Sequence, residues 1–273
     1  MVRLRAMSRS RSFSADLAAW ATLAVATLVI LWPLGTTNRI LAGVDAFTYF
    51  DPYWDYRMAA LRAGELPLWN PYLFLGVPFL ANPQAAVLYP LHWPLSWLST
   101  QAALIWSALL HVWLAAGFTY TLARRSFRLT RPAAWLAGAL FVLGGFALAR
   151  VENINQLNGL AWLPAMLWLY DETFGAASWR GRVRWGVAFA AVIALQLLAG
   201  HTQTTFINMV GLGLYALARL ARLWRGGRAL HPSTNVAPST TVSRAPAQDA
   251  PGGKSSLHLL TSSPVHPVTG PLP

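Results

Sequence analysis

The chain has 273 residues, of which 55% are hydrophobic and 11% are charged, with a formal net charge of +12. Soluble domains average about 25% charged residues, so this composition excludes an ordinary soluble domain and indicates a membrane protein. The positive charge does not indicate nucleic-acid binding, because the arginines form short clusters between apolar segments rather than a polar, lysine-rich stripe. The chain has no cysteine, which excludes disulfides and thiolate metal sites.

The first apolar run covers residues 15–35 and is long enough to cross the bilayer, because about 20 helical residues span ~30 Å of hydrocarbon. It is too long for a signal-peptide core and no cleavage site follows closely, so we interpret it as an uncleaved spanning helix. Five further spans are predicted at residues 101–123, 133–149, 157–170, 185–199 and 204–223. Pro164 lies in the fourth of these six spans, 157–170, where it indicates a kink or a buried position.

The arginines predict the orientation of these spans. With a cytoplasmic N-terminus, 15 arginines fall in the inner segments, whereas Arg39, Arg57, Arg62 and Arg150 fall outside. Basic residues in short loops mark the cytoplasmic side. The sequence therefore predicts an all-α, polytopic membrane protein with about six transmembrane helices and both ends inside. Its parts are a cytoplasmic N-terminus at 1–14, a transmembrane domain at 15–225 with an outer loop at 36–100, and a tail at 226–273.

The outer loop is expected to be structured, since unstructured loops of this length are uncommon. Asp51 and Pro52 are typical of a helix start, with Asp as the N-cap, and Gly64 is typical of the end. Trp54 and Met58 share one face of this predicted helix, which we place at the outer membrane surface. The following segment is rich in proline, which forbids a long helix, and in Trp and Tyr, which suit the membrane interface.

The tail from about residue 226 is rich in Ser, Thr, Pro and Gly and has no hydrophobic period. This composition predicts disorder. Because the apolar pattern ends abruptly there, we expect the chain to be truncated or to continue in a shifted reading frame.

Acidic residues of the predicted outer side are the first candidates for chemistry. Asp51 is explained as a helix cap, Asp55 by its favourable place near a helix N-terminus, and Glu65 as a solvated loop acid. Asp45 has no obvious capping or pairing role, so a functional explanation and a structural one have equal weight. Glu152 is explained either by function or by an ion pair with the nearby Arg150.

Two further polar residues on the same side, His201 and Gln203, follow Gly200 at a predicted helix boundary. They either belong to a site or make hydrogen bonds at the membrane interface.

Four segments carry a resemblance to a known family. They read GVDAFTYFDPYWDYR, LRAGELPLWNPYLFLGVPFLANPQAAVLYP, NGLAWLPAMLW and AGHTQTTF. Together they resemble the N-terminal part of YfhO-like bacterial membrane proteins, which are grouped with the GT-C type of multi-spanning glycosyltransferases. The resemblance covers roughly residues 15–225 and implies a multi-pass protein of the bacterial inner membrane.

The resemblance also implies a function. GT-C enzymes transfer a sugar from a polyprenyl-phosphate donor, here to a cell-envelope acceptor, on the outer face of the membrane. An acid in the first outer loop commonly serves catalysis there, which makes Asp45 the first catalytic candidate. Glu152, on the same predicted side of the membrane but outside that loop, is the second candidate. A divalent metal, Mg²⁺ or Mn²⁺, sometimes assists, but the loop has no full DxD motif, so the metal stays open. The residues placed to bind the substrate or its phosphate are Arg57, Arg62, Arg150, His201 and Gln203.

Besides membrane lipid, the expected partners are thus the lipid-linked sugar and the acceptor, with no nucleic acid. Six spans would supply the catalytic loop but only part of the donor cavity, so we expect this chain alone to be inactive. The alternatives are a transporter or lipid-handling protein without transferase chemistry, and an inactive truncated membrane protein. Transporters usually carry ionisable groups near the membrane midplane, whereas the acids here lie in loops.

Overall fold

The computed structural model of the chain describes residues 2–33, 45–144, 149 and 153–229. Arg150, Glu152 and all but the first residues of the predicted tail therefore lie outside the described residues. The described part is mainly helical, with a single short β-hairpin among its elements. Its α-helices are α1 (Val2–Ile30), α2 (Asp51–Arg62), α3 (Thr100–Arg125), α4 (Arg131–Leu143), α5 (Ile154–Leu160), α6 (Leu163–Gly175), α7 (Trp179–Leu198) and α8 (Thr202–Ala229).

Four stretches in the described residues are long and apolar enough to cross a membrane. They are Phe13–Ile30 within α1, all of α3, all of α7, and Thr202–Trp224 within α8. The chain is therefore a helical membrane protein. The predicted third and fourth spans correspond to shorter helices, since α4 and α6 have 13 residues each. The helix is interrupted between Leu160 and Leu163, and Pro164 lies in the first turn of α6, so the number six stays a prediction.

Helix α3 occupies the centre of the described bundle, in contact with α1, α4, α5 and α6. Small residues allow this close packing, as is common between membrane helices. Gly117 of α3 receives the ring of Trp20 from α1, and Gly138 of α4 lies against the backbone of Ala116 in α3. A Cβ atom on Gly138 would lie 2.6 Å from the Ala116 carbonyl oxygen.

One end of the bundle is held by an acid and arginines from three helices. Asp16 of α1 accepts a hydrogen bond from the Tyr120 hydroxyl at 2.7 Å and from Arg131 Nε at 3.1 Å. Arg124 Nε lies 3.8 Å from the same carboxylate. Since Tyr120 and Arg124 belong to the last turns of α3, the middle of α1 lies beside the end of α3. Thr27 and Leu28, near the end of α1, line one pocket with Trp106 in the first half of α3, so these two helices run antiparallel.

A second ion pair joins α6 to α8. Asp171 accepts hydrogen bonds from Tyr215 Oη at 2.6 Å and Arg219 Nε at 2.9 Å. The ring of Tyr215 also contacts Phe127, directly after α3. The arginines at the end of α3 and along α8 therefore lie at the same end of the bundle.

The α1–α3 loop, described from residue 45 to residue 99, lies at the opposite end. A π-helical turn, Ala46–Phe50, leads directly into α2. Strands β1 (Trp69–Asn70) and β2 (Val77–Pro78) form an antiparallel hairpin, with Trp69 opposite Pro78. Three 3₁₀ turns follow, at Pro83–Ala85, Pro90–His92 and Pro94–Trp97.

The predicted capping role of Asp51 is wrong. The chain is already helical before it, so Asp51 is the first residue of α2, Phe50 holds the N-cap position and no side chain caps the helix. Asp51 accepts a hydrogen bond from Gln101 Nε2 at 3.2 Å instead. The predicted helix end is confirmed, because Gly64 follows the last turn with a φ of +75°, a backbone conformation that glycine adopts without strain.

The packing of α3 against α4 predicts the effect of enlarging Gly138. Gly138→Ala should lower the free energy of unfolding by about 1–3 kcal/mol, because the added methyl group meets backbone that cannot move aside. Thermal unfolding in detergent measures the change. Gly211→Ala in α8 is the matched control, since nothing lies within 4 Å of its Cβ position, and it should stabilise the helix by about 0.5–1 kcal/mol. Equal effects of the two substitutions would contradict the proposed close approach.

Candidate functional site

A cleft of about 550 Å³ opens between α2 and the β1–β2 hairpin. Its volume lies in the range of small-molecule sites in proteins. Carboxylates, an amide and tyrosine rings line it together with small apolar side chains. The lining residues are Pro52, Tyr53, Asp55, Tyr56, Ala59, Ala60, Ala63, Glu65, Asn70, Tyr72 and Leu73.

Helix α2 forms one wall of the cleft because its two faces differ. The cleft face carries Tyr53, Tyr56 and Ala60, which recur at the three- to four-residue spacing of one helix side. The opposite face carries Trp54 and Met58, each only 1% exposed. Burial of that face fixes α2 and leaves the tyrosines and Asp55 to face the cleft.

The β1–β2 hairpin forms the other wall and is tied to α2. The Tyr56 hydroxyl donates a hydrogen bond to the Trp69 carbonyl oxygen at 2.6 Å, and its ring meets the edge of Tyr72. The Asn70 side chain accepts from the Tyr72 backbone N–H at 2.9 Å, which holds the start of the turn. Phe79 packs beneath Tyr56 and is fully buried. Both walls are therefore fixed by contacts inside the loop.

The acids of α2 are connected to the first turn of α3. Thr100 Oγ1 donates to Asp55 at 3.0 Å, and Gln101 donates to Asp51. Burial, together with the nearby negative charge of Asp55, raises the pKa of Asp51. The acids lie at the N-terminal end of α3, where the helix dipole favours negative charge. Asp55 thus sits in the cleft wall as a held hydrogen-bond acceptor.

Arg57 anchors the loop from within. It is 1% exposed, and its Nη1 donates to the carbonyl oxygens of Ala85 at 2.7 Å and Ala86 at 3.4 Å. Its guanidinium lies 4.1 Å from the centre of the Trp54 ring, a cation–π contact. Burial lowers the pKa of Arg57 to about 9, so it keeps its charge at pH 7.

A buried chain of hydrogen bonds joins the same loop to the helices. Trp162 Nε1 donates to Tyr89 Oη at 3.0 Å, and Tyr89 lies 2.6 Å from His111 Nε2. His111 Nδ1 lies 2.7 Å from the Ser107 carbonyl oxygen, which only accepts, so the proton is on Nδ1 and Tyr89 donates to Nε2. Nearby, Asn158 Nδ2 lies 3.0 Å from His92 Nε2. The 3₁₀ turns are thereby fixed to α3, α5 and the start of α6.

The structure does not bring the predicted site residues together in this cleft. Asp45 is exposed immediately before the π-helical turn and makes no side-chain cap. Arg62 is exposed in the last turn of α2, whereas Arg57 faces the loop interior rather than a surface ligand. His201 accepts from the Thr204 backbone N–H at 3.0 Å and so caps α8, which explains its place at the helix boundary without a ligand.

The remaining candidates add little to the cleft. Gln203 is exposed in the first turn of α8, and Arg150 and Glu152 lie outside the described residues. The cleft residues themselves were missed, since Asp55 and Glu65 were explained by helix and loop chemistry. The sequence did contain one indication of the cleft, because Tyr53 and Tyr56 are three residues apart on a predicted helix and Asp55 lies between them.

A metal ion is not supported by the residues described. No group of three His, Asp or Glu side chains placed to hold a metal occurs in the described ranges. Asp55 and Glu65 both line the cleft, but the other polar lining groups are tyrosines and an amide. The cleft therefore does not fit a divalent cation held by protein ligands.

No family model, curated protein or solved structure matches the chain. The class of protein defined by the structure is thus a helical membrane protein with a structured cleft in the loop between α1 and α3. The resemblance to YfhO-like proteins stays a prediction.

The burial of His92 predicts a pH-dependent stability. Burial, with the positive charge of Arg57 nearby, lowers the pKa of His92 well below its usual 6.5. The folded protein then binds fewer protons than the unfolded chain at low pH, so stability falls as the pH drops below 6.5. The loss should reach up to about 1.4 kcal/mol for each pH unit below that value.

Unfolding followed by tryptophan fluorescence between pH 7.5 and 5 measures this loss. His92→Gln keeps a hydrogen-bond acceptor for Asn158 but does not titrate, so its stability should depend less on pH than that of the parent. The same pH dependence in both proteins would show that His92 does not cause it.

Proposed function

We propose that the chain belongs to a GT-C-like membrane glycosyltransferase and that the cleft beside α2 receives a sugar. The observation that carries this proposal is the lining, in which three tyrosines and two carboxylates surround one open volume. Tyrosine rings offer flat apolar faces to the C–H face of a sugar ring, and their hydroxyls keep a polar end. Carboxylates accept hydrogen bonds from sugar hydroxyls, and these bonds are stronger than those between neutral groups.

The reaction needs a base and a stabilised leaving group. A carboxylate removes the proton of the acceptor hydroxyl. The oxygen of that hydroxyl then bonds to the anomeric carbon of the sugar. The bond from that carbon to the phosphate oxygen breaks, and polyprenyl phosphate leaves with the electron pair. The resemblance assigns the base to Asp45, while the geometry favours Asp55. Arg62, exposed at the end of α2 next to the lining residue Ala63, is our candidate to stabilise the phosphate.

The charge distribution supports a location for this reaction. The arginine-rich ends of α3 and α8 lie opposite the cleft, and arginines mark the cytoplasmic side. We therefore place the N-terminus in the cytoplasm and the cleft on the outer face of a bacterial inner membrane. A lipid-linked sugar and a cell-envelope acceptor are the partners that suit that face.

The buried histidine supports this proposal over transport. His111 is the ionisable residue near the middle of α3, as a transport site would require. Both of its ring nitrogens are occupied, by Tyr89 Oη and the Ser107 carbonyl oxygen, and the residue is fully buried. It therefore offers no free atom to a cargo, and its role is to fix the loop.

Binding of a polyprenyl-phosphate-linked hexose to the chain in lipid nanodiscs tests the proposal. Asp55→Asn keeps an acceptor for Thr100 but removes the charge. Glu65→Gln likewise removes the charge of the second acid and keeps a side-chain oxygen. Each should weaken binding by about 10–100-fold, because a hydrogen bond to a charged group contributes about 1.5–3 kcal/mol. Asp51→Asn is the matched control, since Asp51 lies on α2 outside the cleft lining, and binding should change less than twofold.

The outcomes separate binding from catalysis. Equal losses for Asp51→Asn and Asp55→Asn would show a general charge effect, and no binding to the parent chain would reject the sugar site. Asp45→Asn should leave binding unchanged. In the full-length form that the resemblance implies, it should lower transfer by about 10²-fold if Asp45 is the base. Full activity of that variant would exclude Asp45 and leave Asp55 as the candidate.

A further inference from the structure

The turn of the β1–β2 hairpin carries large apolar side chains that are mostly exposed. Tyr72 is 81% exposed, Phe74 is 92% exposed and Leu75 is 104% exposed. Exposed apolar side chains that occur singly are ordinary, but a contiguous group marks an interaction surface. We refer to residues 72–75 as the hairpin tip.

The backbone of the hairpin tip holds these side chains outward. Phe74 and Leu75 have φ values of 47° and 65°, in the left-handed region that residues other than glycine rarely adopt. Gly76 follows with a φ of 115°, and a Cβ there would collide with the Trp69 ring. The turn is thus closed by glycine and by Trp69, and the side chains of Phe74 and Leu75 are left exposed.

The charge pattern identifies the surface that the hairpin tip fits. Between Glu65 and Arg124 the sequence has no Asp, Glu, Lys or Arg. Exposed aromatic residues accompany this absence, with Trp69 at the base of the hairpin and Trp93 and Trp97 just before α3. Tryptophan and tyrosine without charge are typical of the lipid–water interface, whereas water-facing protein surfaces mix both signs of charge.

The hairpin lies near the end of a candidate membrane span. The hairpin is tied to α2 by Tyr56 and Trp69, and α2 is tied to the first turn of α3 by Asp55 and Thr100. Helix α3 is a candidate membrane span that begins at Thr100, so these contacts keep the hairpin near the membrane boundary of that span.

We propose that the hairpin tip inserts into the lipid bilayer next to α3, with Phe74 and Leu75 among the upper acyl chains. The occupant of this apolar surface is therefore lipid rather than a protein partner. This insertion fixes the height of the hairpin wall relative to the membrane surface. It does not depend on the identity of any ligand in the cleft, so it stands or falls separately from the proposed function.

Nitroxide accessibility at Leu75→Cys, measured by electron paramagnetic resonance in phosphatidylcholine vesicles, tests the insertion. The chain has no cysteine, so one label is introduced at a side chain that contacts almost nothing. Arg128→Cys, at an exposed turn residue with a similar φ of 56°, is the aqueous control. Leu28→Cys, on the exposed face of the first candidate span, is the lipid control.

The ratio of collisions with oxygen to collisions with a water-soluble nickel chelate rises with depth in lipid. At Leu75 it should be several-fold higher than at Arg128 and close to that at Leu28. A ratio equal to that at Arg128 would place the hairpin tip in water and overturn the proposal. Exclusion of both reagents would also overturn it, because the tip would then be covered by protein, for example by a second copy of the chain.

Discussion

The α1–α3 loop depends on the buried hydrogen bonds that join Trp162, Tyr89, His111 and Ser107. A loop without charges between Glu65 and α3 cannot be held by ion pairs of its own. Its backbone polar groups still need partners where it is buried. Arg57 supplies a fixed partner for the carbonyl oxygens of Ala85 and Ala86, and Asn155 donates to the Gln84 carbonyl oxygen at 2.7 Å. The turns that follow the hairpin are thereby attached to the helices instead of moving as a free loop.

Helix α2 connects the fixed part of the loop to the cleft. Its buried face, with Trp54 and Met58, belongs to the hydrophobic core that α1 and α3 share, and its other face presents Tyr53, Tyr56 and Asp55 to the cleft. A lipid-inserted hairpin tip would set the second wall at the membrane surface. A ligand with an apolar tail in the bilayer would then have its polar head at the membrane surface, at the height of the cleft. The same arrangement serves the proposed transfer from a lipid-linked donor.

The sequence predicted the membrane class and the end of α2, because apolar length and a glycine after a helix are local signals. It placed α2 correctly but not its cap, since the π-helical turn before Asp51 has no local signature that we recognised. The direction of Arg57 was also not predictable. An arginine on a short loop helix is expected at the surface, and only the carbonyl groups of Ala85 and Ala86, distant in sequence, explain its burial. The cleft depends on a hairpin that pairs residues across a turn, so its lining could not be read from one segment.

We propose that the cleft binds a sugar phosphate on the outer side of the membrane. Photo-crosslinking with a membrane-impermeant, diazirine-bearing sugar phosphate, added to sealed vesicles of each orientation, tests both parts at once. We expect label on the peptide that contains Tyr53, Asp55 and Tyr56, only in vesicles that expose the outer face, and competition by unlabelled lipid-linked sugar. Label restricted to the opposite orientation, or none on α2 in either, would contradict it.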